Sequence, residues 1–310
     1  LIKINHINPV LLNTERAEIF VHTVMQLLYL AQRARPDIRT AVSFLCGRLS
    51  CADADDWNKL CRVMKYLDST RDLVLTLSAD DAGCIMWWVD ASFAVHMDMK
   101  GHTGGTLSMG KGSIYSTATK QKLVSRSSTE TEVIAVHDVM PQLLWTRNFL
   151  LGQGVAVKDT ILYQDNMSSM LLEINGKQSS TKRTRHMDIR YFFVKDRVKN
   201  KELGIEHCPT GDMRADYFTK PLQGKQFYKL RDEVMNIGSN SPYHSSQRSV
   251  LRKDAKDQSV KIVTDDIKDH GSQSSVIEEQ CDMKTSEMIE QMSRNSVVLK
   301  KSYRAALVGA

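Results

Sequence analysis

The spacing of apolar residues divides the sequence into three segments. In residues 1–78, apolar positions recur every three or four residues, as in Phe20, Val24, Leu27 and Leu28, a period typical of helices that bury one face. The pattern predicts three helices: TERAEIFVHTVMQLLYLAQRAR, PDIRTAVSFLCGRLS and DADDWNKLCRVMKYLDST. Thr14 is the expected cap of the first helix. The acidic start of the third favours a helix N-terminus over a polymerase aspartate pair, because the strands of a polymerase hairpin are missing.

Residues 79–236 change to short apolar runs that alternate with helical patterns. AGCIMWWVDASF, GHTGGTLSMG and GSIYSTAT predict three strands with glycine turns, and the glycines of GHTGG are interpreted as turn residues. A long helix starting at SSTETEVIAVHDV follows, in which Pro141 should cause a kink or break near Val139. A strand ending at YQD, the helix MDIRYFFVKDRVKN, the strand ELGIEHC and a helix from about Met213 complete the segment. This order predicts a mixed sheet with helices packed on it.

Residues 237–310 form a third segment with the composition of a flexible tail. The stretch is rich in Ser, Lys, Asp and Gln and poor in aromatic residues, which favours disorder. An apolar spacing at Val276, Met283, Met288 and Met292 would suit one isolated helix.

Composition adds only broad limits. The 310 residues are 42% hydrophobic and 25% charged, ordinary for a soluble globular protein, and the net charge of +6 is a weak indication of a polyanionic partner. Six cysteines without a CxxC pair favour free thiols over a disulfide framework or a zinc site. No apolar run approaches the roughly 20 residues of a membrane helix. We find no signal peptide. Because the chain begins at Leu1 and not at Met, we expect a fragment of a longer polypeptide.

Four acidic residues of the middle segment follow strands or begin helices: Asp90, Glu132, Asp165 and Asp216. Each alone is explained by a turn or a helix cap. Together at one end of a sheet they would repel one another, and such a cluster persists only with cations. A set of oxygen ligands without His or Cys suits Mg²⁺ or Mn²⁺, so the pattern indicates a two-metal phosphodiester site.

Four motifs carry a family resemblance: KQKLVSRSSTETE, YQDNMSSM, TRHMDIRYFFV and ADYFTK, in this order. They resemble the ribonuclease H domain of Pol polyproteins from copia-type LTR retrotransposons. The first segment resembles the stretch that precedes this domain in the same polyproteins, and together the likeness covers roughly residues 8–236. It implies an α/β fold with a ribonuclease H-like mixed five-stranded sheet flanked by helices. Residues 1–78 would be the helical C-terminal part of a reverse transcriptase, residues 79–236 the ribonuclease domain, and residues 237–310 a disordered tail.

The resemblance also implies an activity and a site. Asp90, Glu132, Asp165 and Asp216 would hold two Mg²⁺ ions, with Mn²⁺ as a substitute, and the enzyme would hydrolyse the RNA strand of an RNA–DNA hybrid. The upstream reverse-transcriptase and integrase regions of the polyprotein would be partners, without a membrane, in a cytoplasmic virus-like particle or the nucleus. The polymerase active site is absent from the chain.

Two departures keep an alternative open. VDASFAVH lacks the second acid and the Trp of the usual motif, and Pro141 is unexpected in a helix. A catalytically decayed module that only binds nucleic acid is therefore the second hypothesis. An integrase-type nuclease is disfavoured, because its glutamate would come last among the acids rather than between the first two aspartates.

Several side chains keep two interpretations. Glu132 precedes the apolar residues Val133 and Ile134 and is favoured as the catalytic glutamate, with Glu130 as the capping residue; the reverse assignment is the alternative.

A basic loop that leads away from Asp165 is either a clamp on phosphates or a solvated surface. Its candidate residues are Lys177, Lys182, Arg183, Arg185 and His186. The roles of His186, Asp188 and His207 stay open between structure and function.

Overall fold

The computed structural model describes residues 9–79, 83–175 and 188–246. Among these residues two compact units are distinguished: one includes residues 9–30 and 41–73, and the other includes residues 31–40 and the described residues between 74 and 245. The domain limits predicted at residues 78 and 236 stay predictions, and the tail beyond residue 246 lies outside the described residues.

The N-terminal segment is helical, as predicted. Its elements are α1 (Thr14–Arg33), a 3-10 turn (Pro36–Ile38), α2 (Arg39–Cys46) and α3 (Ala54–Asp68). The first helix is capped one residue earlier than a Thr14 cap would place it, because Asn13 Oδ1 accepts a hydrogen bond from the Arg16 amide at 2.9 Å.

The acidic start of α3 is a reciprocal helix cap. The Asp56 amide donates to Asp53 Oδ1 at 2.9 Å, and the Asp53 amide donates to Asp56 Oδ2 at 3.2 Å. Arg48 Nε donates to the same Asp56 oxygen at 2.8 Å. Both carboxylates are therefore used within the helix start, and the structural interpretation of this acidic run is confirmed.

The sheet has five strands in the order β3-β2-β1-β4-β5. The strands are β1 (Cys84–Ser92), β2 (His102–Ser108), β3 (Tyr115–Lys120), β4 (Asp159–Gln164) and β5 (Gly204–His207). β1 to β3 pair antiparallel, whereas β4 runs parallel to both β1 and β5. The predicted mixed five-stranded sheet flanked by helices is thus confirmed. Because β1, β4 and β5 are parallel, their carboxyl ends meet at one edge.

Helices flank this sheet. They are α4 (Ser128–Gly152), α5 (Met167–Asn175), α6 (Asp188–Lys199), α7 (Asp216–Thr219) and α8 (Gly224–Met235). The main core lies between α4 and the sheet, where Trp87 and Val89 of β1 pack with Val136 and Met140, all at most 3% exposed. In the described part of the chain, no helix is both long and apolar enough to cross a bilayer.

Pro141 does not interrupt α4, which continues without a break to Gly152. The predicted break near Val139 is therefore wrong. Pro141 lies on the exposed side of the helix, where water can hydrogen-bond the carbonyl that the missing proline amide leaves free.

Gly104 and Gly105 lie inside β2 and not in a turn, which corrects the prediction for GHTGG. A Cβ at Gly104 would lie 2.4 Å from Thr219 Cγ2, and one at Gly105 would lie 2.9 Å from Trp87 Nε1. Glycine is thus required here for close packing, since no side chain would fit between the strand and its neighbours.

The described chain continues beyond α8 and closes over it. Arg231 is fully buried and donates to Asp232 Oδ1 at 2.8 Å and to the Tyr243 carbonyl. The Ser245 amide donates to Asp232 Oδ2 at 2.6 Å. Residues 243–245 therefore supply hydrogen-bond partners to the last helix.

Candidate active site

Three predicted acids meet at the carboxyl edge of the sheet. Asp90 lies near the end of β1, Asp165 directly follows β4, and Asp216 is the first residue of α7. One carboxylate oxygen from each lies within 4.8 Å of the others. Asp90 and Asp216 are 2% and 4% exposed, whereas Asp165 is half-buried. The parallel pairing of β1 with β4 explains why residues 75 positions apart in the sequence converge.

Asp90 is oriented by α7. Thr219 Oγ1 donates a hydrogen bond to Asp90 Oδ2, and Ser92 Oγ donates to the Thr219 carbonyl at 3.2 Å. The absence of a side chain at Gly104 lets Thr219 lie against β2. The two hydrogen bonds tie the short helix to β1, so Asp216 is held beside Asp90.

Asp165 is oriented by the loop after β5. Thr210 Oγ1 donates to Asp165 Oδ2 at 3.2 Å. Lys229 of α8 fixes this loop from the other side, since its Nζ donates to the Gly211 carbonyl at 2.7 Å and to Asp212 Oδ1 at 2.6 Å. The neighbouring Asn166 caps the start of α5, because its Oδ1 accepts from the Ser169 amide at 3.1 Å.

Glu132 lies next to the three aspartates without joining the closest group. It is 6% exposed and comes from the second turn of α4. Burial, together with the charges of Asp90 and Asp165, raises the pKa of Glu132 to about 9, against the opposing effect of a hydrogen bond with the Ala91 backbone. Glu132 is therefore close enough to be influenced electrostatically by both aspartates.

Glu130 instead engages the start of α4. The Arg126 amide donates to Glu130 Oε2 at 2.7 Å, and the Glu130 amide donates to Ser127 Oγ at 3.2 Å. The capping arrangement differs from the expected box in one detail, because the carboxylate reaches the amide of Arg126 rather than that of Ser127. These contacts favour the assignment of Glu130 to helix capping.

Burial in a common site disfavours charge on the aspartates. The pKa of Asp90 is raised to about 7, mainly by burial and then by the Asp216 charge, while Lys220 and Thr219 act in the opposite direction. Burial also raises the pKa of Asp216. The site therefore stabilises bound cations or protons, which reduce the mutual repulsion of the carboxylates.

Lys220 is a site residue that the sequence patterns did not single out. Its Nζ donates to Asp216 Oδ1 at 2.6 Å and lies 3.6 Å from Asp90 Oδ2. Although burial lowers it, attraction to Asp90 and Asp216 raises the pKa of Lys220 above its ordinary value. The i,i+4 spacing of acid and lysine in DYFTK is the signal that could have indicated this contact.

The donor set fits a hard divalent cation. Asp90, Asp165 and Asp216 offer only carboxylate oxygens, close enough together for a shared ion, and Mg²⁺ and Mn²⁺ prefer such ligands. This acidic triad, with two buried members and one half-buried, is therefore compatible with divalent metal binding, as predicted.

Two sequence relatives of the chain are polyproteins from plant transposons. No model of a known protein family matches the chain. It is 28% identical over 218 residues to the retrovirus-related Pol polyprotein from transposon TNT 1-94 of Nicotiana tabacum, covering 70% of this chain and 16% of the polyprotein. It is 32% identical over 213 residues to the corresponding protein from transposon RE2 of Arabidopsis thaliana, covering 68% and 14%. The chain is a homologue of retrovirus-related Pol polyproteins. The predicted relationship is thereby confirmed.

The homologous part is a small share of each polyprotein, since the chain spans only 14–16% of the length of these two relatives. Among solved structures, ribonuclease H1 from the halophilic archaeon Halobacterium salinarum is 15% identical to this Pol homologue. The TM-score is 0.32, and the match covers 44% of this chain and 94% of that one.

The remaining predicted site residues are placed differently. Lys177, Lys182, Arg183, Arg185 and His186 lie outside the described residues, so the predicted phosphate clamp stays a prediction. Asp188 begins α6. His207 ends β5, pairs with Gln164 one residue before Asp165, and is exposed. It therefore lies at the same edge of the sheet as the acids.

Proposed function

We propose that this Pol homologue is a ribonuclease H that hydrolyses the RNA strand of RNA–DNA hybrids during reverse transcription of a retrotransposon. The observation that supports the proposal most is the meeting of Asp90, Asp165 and Asp216 at the edge of the sheet, with Glu132 beside them. An arrangement of buried acids at the carboxyl ends of parallel strands suits phosphodiester hydrolysis far better than it suits fold stability.

Asp90, Asp165, Asp216 and Glu132 would hold two Mg²⁺ ions, for which Mn²⁺ could substitute. When bound, the pair would activate the attacking water and stabilise the leaving oxygen. The protein's own contribution is orientation: Thr219 fixes the Asp90 carboxylate, and Thr210 fixes that of Asp165. Because these partners lie on α7 and the loop before it, the acids are held in place before substrate arrives.

Hybrid selection is part of the proposal. The 2′-hydroxyls of the RNA strand are accessible from the wide minor groove of an A-like duplex, so they offer a way to distinguish the hybrid from DNA. The basic loop with Lys182, Arg183 and Arg185 would contact phosphates, whose charge gives affinity without sequence preference. The expected partners are the reverse-transcriptase and integrase regions of the same polyprotein, in a cytoplasmic particle or the nucleus.

A decayed nucleic-acid-binding module is the second candidate, favoured by the departure in VDASF. Ser92 stands where the usual motif has an acid, but its hydroxyl supports α7 through the Thr219 carbonyl. The four acids of the proposed site are present as well. We therefore prefer the catalytic proposal.

A cleavage assay separates the two candidates. The purified 310-residue chain is incubated with an end-labelled RNA–DNA hybrid in Mg²⁺ or EDTA, with single-stranded RNA and duplex DNA as substrate controls. We expect Mg²⁺-dependent cuts in the RNA of the hybrid, abolished by Asp165→Asn while hybrid binding persists. Binding without cleavage by the wild type would favour the decayed module, and equal cleavage by Asp165→Asn would exclude Asp165 from the chemistry.

A further inference from the structure

The ammonium group of Lys220 occupies the acidic cluster. Its Nζ is 2.6 Å from Asp216 Oδ1 and 3.6 Å from Asp90 Oδ2, and 37% of its side chain is exposed. We propose that Lys220 is the resident cation of the metal-free site and competes with the divalent ion for these carboxylates. The inference rests on the proposed metal-dependent function and assigns Lys220 the role of setting metal affinity.

The backbone delivers Lys220 to this position. Lys220 follows Asp216 by one helical turn, and its amide donates to the Asp216 carbonyl at 3.0 Å. The preceding residue, Thr219, donates its hydroxyl to Asp90 Oδ2, the same oxygen that the lysine approaches. The start of the side chain is therefore fixed, and the ammonium is aimed between two predicted metal ligands.

Charge explains why a cation is needed there. Three carboxylates with oxygens within 4.8 Å repel one another when ionised. An ammonium that pairs with Asp216 and approaches Asp90 offsets part of this repulsion, so Lys220 should stabilise the metal-free fold. The same carboxylates would bind the divalent ion, and two cations sharing them repel each other.

The Lys220 side chain can also move out of the acidic cluster. A lysine has a flexible four-carbon stem, and its point charge is strongly hydrated. Since more than a third of the Lys220 side chain is exposed, the ammonium can turn to water without breaking the core. When the metal binds, the contacts of Lys220 with Asp216 and Asp90 are lost. The free energy of these contacts is subtracted from the free energy of metal binding, so Lys220 lowers the affinity for the metal.

Direct metal binding tests the proposal independently of cleavage. Mn²⁺ is titrated into the full chain at constant pH, and free Mn²⁺ is followed by electron paramagnetic resonance. The variants are Lys220→Met and Lys220→Gln, which remove the charge, and Lys220→Arg, which retains it. Lys120→Met is the matched control, because Lys120 pairs at 2.7 Å with Asp98, outside the acidic cluster, and is 46% exposed.

We expect the Kd for Mn²⁺ to fall about tenfold in Lys220→Met and Lys220→Gln, within the usual range of coupling between two sites. Lys220→Arg and Lys120→Met should bind Mn²⁺ like the wild type. In EDTA, both uncharged Lys220 variants should have a lower Tm than the wild type, and saturating Mn²⁺ should remove the difference. Lys220→Gln keeps the test decisive if Lys220→Met does not fold.

Results that contradict the competition between Lys220 and the metal can be told apart from results that contradict the proposed ribonuclease function. An unchanged or increased Kd in the uncharged variants would overturn the competition while leaving the proposed ribonuclease function intact. A raised KM for the hybrid with unchanged Mn²⁺ binding would assign Lys220 to substrate phosphates instead. Absence of saturable Mn²⁺ binding in the wild type and all variants would overturn both the inference and the metal-dependent function on which it rests.

Discussion

Gly104 in the middle of β2 faces Thr219 of α7 so closely that a Cβ on the glycine would lie 2.4 Å from Thr219 Cγ2 and 3.0 Å from the Phe218 carbonyl carbon. Thr219 in turn holds Asp90 by a hydrogen bond. A residue without any functional group therefore determines how near the sheet α7 can lie, together with Asp216 at its start and Lys220 directly after its end.

Gly104→Ala should displace α7 and reduce cleavage of the hybrid. Part of the contact is with Phe218 backbone, which cannot turn aside as a side-chain tip can, so we expect destabilisation of about 1–3 kcal/mol, typical of overpacking. Thermal unfolding and initial cleavage rates measure the two effects. Gly152→Ala is the control, because nothing lies within 4 Å of its added Cβ and its backbone φ is not positive; it should keep wild-type activity. A fully active Gly104→Ala would show that the position of α7 does not matter.

Glu132→Gln and Glu130→Gln should have opposite effects. Because the pKa of Glu132 is raised to about 9, this side chain is protonated near neutral pH in the metal-free protein. The glutamine resembles that form and should leave the metal-free Tm nearly unchanged, while Mg²⁺-dependent cleavage is lost. Glu130→Gln weakens a charge-assisted bond from the Arg126 amide and should cost on the order of 0.5 kcal/mol with activity retained. The reverse pair of results would make Glu130 the metal ligand.

The stability of the metal-free protein should fall as pH rises from about 5 to 9. The pKa values of Asp90 and Glu132 in the fold, about 7 and about 9, exceed the ordinary carboxyl values near 4. The folded chain thus binds more protons than the unfolded chain across this range. The stabilisation present at low pH is therefore lost as the pH rises through the pKa values of the folded protein. Mg²⁺ should restore stability most at high pH, because its ligands must be deprotonated.

Thermal unfolding at several pH values, in EDTA and in Mg²⁺, checks this dependence. Asp90→Asn is the matched variant, since it keeps the shape of the side chain and removes one titrating group. Its metal-free stability should vary less with pH than that of the wild type. If stability changed with pH equally in both proteins, Asp90 would not have a raised pKa in the folded protein.

A second buried acid offers an independent test of pH dependence. Glu173 of α5 is fully buried and accepts a hydrogen bond from Ser169 Oγ at 3.0 Å. Burial raises the pKa of Glu173 to about 8, against the opposing effects of Ser169 and Gln164. The wild type should therefore lose stability relative to Glu173→Gln as pH rises from about 4.5 to 8, by at most about 1.4 kcal/mol per pH unit.

The difference between the two proteins should level off above pH 8, when Glu173 is ionised in both the folded and the unfolded state. Urea unfolding at pH 5, 6, 7, 8 and 9 measures it. A constant difference across the series would mean that Glu173 ionises in the fold as readily as in water.

Sequence patterns predicted the features that depend on order along the chain. Asp90 and Asp165 each come at the end of an apolar strand, so the parallel sheet that the pattern predicts also brings them together. The helix start at Ser127 was visible because its capping residues are local in sequence.

Features that depend on packing between distant segments were missed. Gly104 looks like a turn residue in sequence, because glycine serves equally well in a turn and under a neighbouring helix. Pro141 is compatible with α4 only because it lies on the exposed side. The Lys220 side chain points at the acidic cluster because hydrogen bonds attach α7 to β1. No single sequence motif encodes this attachment.

Residues 243–245, which hydrogen-bond to α8, set a limit on how far the chain can be shortened at its C-terminal side without destabilising the unit that contains the sheet. A chain cut directly after Asn236 would retain the fully buried Arg231 guanidinium but lose the Tyr243 carbonyl that accepts from it, and Asp232 would lose the Ser245 amide. Arg231 would keep its ion pair with Asp232, but the loss of a hydrogen-bond partner in the interior costs about 1–3 kcal/mol. Any cleavage that released this unit intact would therefore have to lie beyond Ser245.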